Sequence, residues 1–237
     1  MGCTPVRASV PPLARLNAPH FASAVPNPVL KPGVVATGEL TSSDGKTSGH
    51  IVVTVRDDRN FDVTMSDFRT PITSELTSGL SRVPFSSTAR CPADSVYIFL
   101  DLVSSAPTQS FSLAGVDDLI RGDPSFLDSV LLTQPVPAAV NGECMRSVVA
   151  SASLTWTMRD VRPNLHVSDS GSTTAARGTE TMIDGAPASY DVATNDVMAV
   201  IATRFGISVD DLCYLNPMRG SGPALAGEML NLSKKLR

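Results

Sequence analysis

Acid–base and metal chemistry need side chains that converge, and in this 237-residue sequence the candidates are few and scattered. The three histidines, His20, His50 and His166, have no Cys or carboxylate at ligand spacing. They read as ordinary buried or surface residues, so the sequence implies no metal and no cofactor. No CxxC, HExxH, GxSxG or glycine-rich phosphate loop occurs. Asp101, Asp117, Asp118 and Asp128 are the acids that could supply a carboxylate pair for general acid–base work. Each lies near a turn and none is paired in sequence, which fits solvated or capping groups more simply.

The four cysteines allow three fully paired connectivities. Cys91 and Cys144 both flank strong strand candidates. Joined, they would close a loop of about fifty residues and add roughly 4 kcal/mol by chain-entropy arithmetic, in an oxidising compartment. Two buried thiols are the competing reading. Cys213 falls on a helical stretch and reads as a small core residue. Cys3, in the opening "MGC", precedes a proline-rich segment and resembles the mature end of a bacterial lipoprotein, which implies a lipid anchor there. No charged and apolar leader precedes it, and Val6 stands where myristoylation wants Ser or Thr.

These groups must be positioned by a modestly apolar chain. Hydrophobic residues make up 42% and charged residues 18%, as in a globular protein. The net charge of -4 has no blocks of one sign, which argues against a nucleic-acid partner. No run of eighteen apolar residues is present to span a membrane as a helix.

Residues 1–33 form a proline-rich tether: Val10 to Gly33 holds six prolines in twenty-four positions. Residues 34–160 then turn to period two. "HIVVTVR" (50–56), "FDVTMSDF" (61–68), "SVYIFLDLV" (95–103), "FLDSVLLTQ" (126–134) and "SVVASASLTWTM" (147–158) are strand candidates. In the last of these, Val148, Ala150, Ala152, Leu154, Trp156 and Met158 share one face and Ser or Thr residues line the other. One dry and one wet face predict an antiparallel sheet, here a β-sandwich or small barrel. Residues 161–187, rich in Ser, Thr, Gly and Ala, read as a linker with one strand-like piece near Val167.

Residues 188–237 read as a strand from Tyr190, two short helices and a returning strand, "EMLNL". Asp196 is the expected N-cap of the first helix, with Val197, Val200, Ile201 and Phe205 as its apolar stripe and Gly206 as its stop. Ser208 and Asp211 have capping-box spacing for the second, and Pro217 halts it. The expected fold is therefore α+β and two-domain, an all-β sandwich or small barrel followed by a small βααβ domain.

The words "YDVATND", "IATRFGIS", "DLCYLNP" and "LAGEMLNL" resemble the LysM family of carbohydrate-binding modules over about 45 residues. That resemblance implies binding of N-acetylglucosamine polymers, peptidoglycan or chitin, in a shallow groove between two turns. Carried over, one wall is Asn195, Asp196, Val197 and Met198; the other is Asn216, Pro217, Met218 and Arg219, with Leu225 nearby. The usual Gly-Asp-Thr or Gly-Asp-Ser of the entry turn is replaced by Asn195-Asp196-Val197, which loses a hydroxyl. The expectation is a non-catalytic, extracytoplasmic cell-envelope protein, lipid-anchored or secreted, with a protein partner of unknown kind for the β-rich region. The alternative is a cell-wall hydrolase or other envelope enzyme whose catalytic unit is that region.

Overall fold

The computed structural model describes residues 28–82, 96–113, 120, 122–135, 146–217, 219 and 222–237. Alternation drives most of the strands. In β2 (Ser48–Val55) and β3 (Phe61–Arg69), Ile51, Val53, Val55, Phe61, Val63 and Met65 are buried while their neighbours face outward. A pleated chain whose apolar side chains recur every second residue can bury only one face. With β1 (Gly33–Thr41), these strands form an antiparallel meander.

The sheet continues through β4 (Leu76–Ser81), β5 (Val96–Val103), β6 (Gln109–Ser112), β7 (Ser129–Pro135), β8 (Arg146–Ser153) and β9 (Thr155–Trp156). Its order is β5-β4-β7-β8-β1-β2-β3-β6, with β9 against β1. The two outermost strands, β5 and β6, are consecutive in sequence. Gln109 braces the turn between them, accepting from the Ser104 amide and donating to the Ser104 and Ala106 carbonyls. The sheet thus curls into a nearly closed barrel around one apolar core.

The strand expected over 147–158 breaks in two at Leu154, whose amide donates to the Asp128 carbonyl at 2.8 Å. The register against β7 also slips between Leu132 and Thr133, so Val149 rather than Val148 packs on the core. A bulge of this kind moves one side chain to the other face and raises the twist, which a barrel wall needs.

The α+β two-domain expectation is overturned. The described residues are mostly β, dominated by this barrel-like sheet, and include two α-helices of seven residues each, α1 (Met198–Arg204) and α2 (Val209–Leu215). A separate βααβ domain is not evident. The helices lie on a three-stranded sheet, β10 (Thr179–Ile183), β11 (Ala186–Asp191) and β12 (Met229–Asn231), and β10 comes from the stretch expected to be a linker. More of that stretch is structural. Arg204 is 3% exposed and donates to Asp169, Glu180 and the carbonyls of Ala176 and Gly178. Such a cation is stable only because every donor finds an oxygen.

This C-terminal part is also joined to the barrel. Leu30 and Met158 pack on both cores. Asp123, from the barrel, is 5% exposed and accepts from the Tyr214 hydroxyl at 2.7 Å and from Arg237. Arg237 in turn donates to the Asp123 and Tyr214 carbonyls. Its guanidinium lies 3.9 Å from the Tyr214 ring centroid and 4.9 Å from that of Phe126. Arg162 covers Tyr214 at 4.6 Å, and Arg82 stands 5.8 Å from Phe126. Three arginines and two aromatic rings therefore alternate across the junction.

Candidate functional site

Two bends meet at one end of the three-stranded sheet. Past β11, the Val192 amide donates to the Glu228 carbonyl at 2.9 Å, and the Gly227 amide returns a bond to the Val192 carbonyl at 2.8 Å. This ladder sets the 192–197 bend beside the 222–228 bend. Asn195 holds the first in a left-handed conformation, φ 68°, which asparagine tolerates better than most residues. The Val197 amide donates to the Ala175 carbonyl, so the bend is fixed from behind as well.

Asp196 is not the helix cap. Val197 occupies that position with no side-chain capping bond. The Asp196 carboxylate instead accepts from the amides of Arg177, Gly178 and Ala193 and from the Tyr190 hydroxyl. Burial pushes its pKa up, but these four donors outweigh burial and hold it below the ordinary carboxylate range. Tyr190 moves the other way: burial, then its bond to Asp196, push it up to about 12. An ionised carboxylate with its lone pairs so occupied is a scaffold, not a proton donor. The sequence rule that misplaced it was local to the helix, whereas all four of its partners lie outside the helix and its first turn.

The second wall is largely structural too. Asn216 donates to the Leu212 and Asn231 carbonyls and accepts from the Asn231 amide at 2.7 Å, tying α2 to β12. Pro217 and Met198 are buried. Arg219 pairs with Glu228 and donates to the Gly222 and Pro223 carbonyls, holding the 222–228 bend. Met218 lies outside the described residues, as do Cys3, Cys91 and Cys144. Cys213 is buried among the helices. The residues left to meet a ligand are Asn195 and two exposed apolar side chains, Val197 (49%) and Leu225 (64%). Met229, 69% exposed at the start of β12, adds apolar surface the sequence reading did not single out. Its signal was there: Leu230 and Leu232 alternate inward and leave Met229 outside.

Of the candidate acids, the two that are described, Asp101 and Asp128, do not converge. Asp101 pairs opposite Ser78 on β4, while the Asp128 amide bonds Ser81 on the same strand. Three residues and two strand spacings put them about 14 Å apart, beyond the range of a glycosidase pair. Asp117 and Asp118 lie outside the described residues. Among the described residues no three His, Cys, Asp or Glu side chains cluster to hold a metal, and no helix is long and apolar enough to cross a membrane. His50 faces Glu39 at 2.7 Å on the barrel exterior.

A scan against protein-family models found no match, and neither did searches of curated proteins and of solved structures.

Proposed function

We propose that this chain is a non-catalytic cell-envelope protein that binds N-acetylglucosamine-containing glycan, peptidoglycan foremost, at the paired bends. The observation that carries the reading is their side-by-side fixation by the Val192–Glu228–Gly227 ladder, with Val197 and Leu225 left exposed on either bend. Backbone groups at turns and helix ends can meet the donor and acceptor of an acetamido group. Exposed aliphatic side chains suit its methyl group and the flat sugar face. Arg219, Asn216 and Asp196 act in this reading as braces that pre-shape the saddle, which lowers the entropy lost on binding.

One short sugar gains little over water here, so attachment needs repeated sites on the polymer or a second tether. A lipid on Cys3 supplies that tether in this reading and places the protein outside the cytoplasm. The test is titration of the full chain with chitotetraose and with muropeptides, followed by amide NMR. Shifts confined to Asn195–Val197 and Leu225–Glu228 are expected; no movement there overturns the reading.

A further inference from the structure

The junction between barrel and C-terminal part leaves an open cleft of about 510 Å³, within the usual range for small-ligand sites. Half-buried Met158 gives it apolar surface, while Phe126 and Tyr214 also line it but are buried against the arginines. Its charges fall into two sets. Asp123 is taken by Arg237, and Asp160 by Lys234 at 2.8 Å, so these are internally neutral. Three further charges line the cleft: the exposed Arg159 and Lys235, and the half-buried Asp128. No hydrogen bond or ion pair engages the side chains of these three among the described residues. Burial raises the Asp128 carboxyl, only partly opposed by Arg82, so that carboxylate is under-solvated and gains from an incoming cation.

We propose that this cleft is a second binding site, taking a short amphoteric peptide whose carboxylates meet Arg159 and Lys235 and whose ammonium group meets Asp128. A small aliphatic side chain of such a peptide lies against Met158. The ligand class rests on the glycan reading of the paired bends, since a wall glycan carries short peptides of this character along its length. Occupying both sites on one polymer multiplies two weak affinities without any new contact.

The experiment uses the full chain and two probes that share no chemistry. One is the free tetrapeptide L-Ala-D-Glu-L-Lys-D-Ala; the other is chitotetraose. The expected result is that the peptide shifts the amides of Asp128, Met158 and Lys235 and leaves Asn195 unmoved. The double variant R159Q/K235Q, altered only at exposed side chains, should weaken peptide binding about tenfold and leave chitotetraose binding unchanged. The single variant Asp128→Asn should weaken it less. Peptide shifts that are absent, or that persist unchanged in the double variant, overturn the cleft proposal. If chitotetraose alone leaves the bends unmoved while the peptide fills the cleft, the glycan reading fails and the cleft stands.

Discussion

Asp196 shows how much one side chain can hold. It joins the 177–178 segment, β11 and the bend before α1 through four hydrogen bonds. Asp196→Ala should destabilise the fold by about 3 kcal/mol, because it strands buried amide donors rather than removing one bond. Urea unfolding of the variant checks this. The pH dependence has a definite sign. The folded pKa lies below the unfolded value, so this stabilisation is fully present above the unfolded carboxylate range. It is lost as pH falls through the folded pKa. Acid titration followed by circular dichroism should show the wild type losing stability at low pH, and Asp196→Asn losing much less over the same interval. Gly178 is fixed by space: a Cβ there would stand 2.0 Å from the Asp191 carbonyl oxygen and 2.7 Å from the Tyr190 ring. Gly178→Ala should therefore lower the melting temperature although the residue is half-exposed. By contrast, Val197→Asp and Leu225→Asp should leave the melting temperature within a few degrees and, on the proposed glycan reading, weaken chitotetraose binding.

At the scale of elements, residues 161–187 decide whether the C-terminal part can stand alone. They contribute β10, the buried Val161 and Ala176, and three partners of Arg204 within 169–178. A fragment of residues 188–237 should be largely unfolded by amide dispersion, whereas 158–237 should retain its strands. The same elements show what was legible in sequence. β2 and β3 were plain because their alternation is nearly unbroken, and the Ser208–Asp211 capping box is present as its spacing implied. The 161–187 stretch was obscure because its role is polar. Asp169, Gly178 and Glu180 matter through the buried Arg204, a partner 24 to 35 residues away that leaves no periodic trace. Likewise the bulge at Val149 depends on pairing with β7, which no local pattern encodes. Of the candidate site, the two bends came only from the family resemblance, and the division between braces and exposed surface left no mark in the sequence.

At the scale of the whole molecule, Asp123 and Arg237 unite barrel and C-terminal part. Removing the acid leaves a buried cation without its counter-charge. Asp123→Ala should cost about 3–5 kcal/mol and convert one calorimetric transition into two, since each part keeps its own apolar core. If a single transition persists, the shared contacts of Leu30 and Met158 are the stronger coupling. The topology has a further consequence for how the chain assembles. β1 pairs with β2 within a few residues, but its other edge meets β8 at Ser151 and β9 at Thr155 and Trp156, more than a hundred residues later. Closing so long a loop is slow, typically milliseconds to seconds for folds dominated by distant pairings. A nascent chain therefore carries an unsealed seam along its first strand until residue 156 has emerged, and that interval is when a chaperone has most to guard.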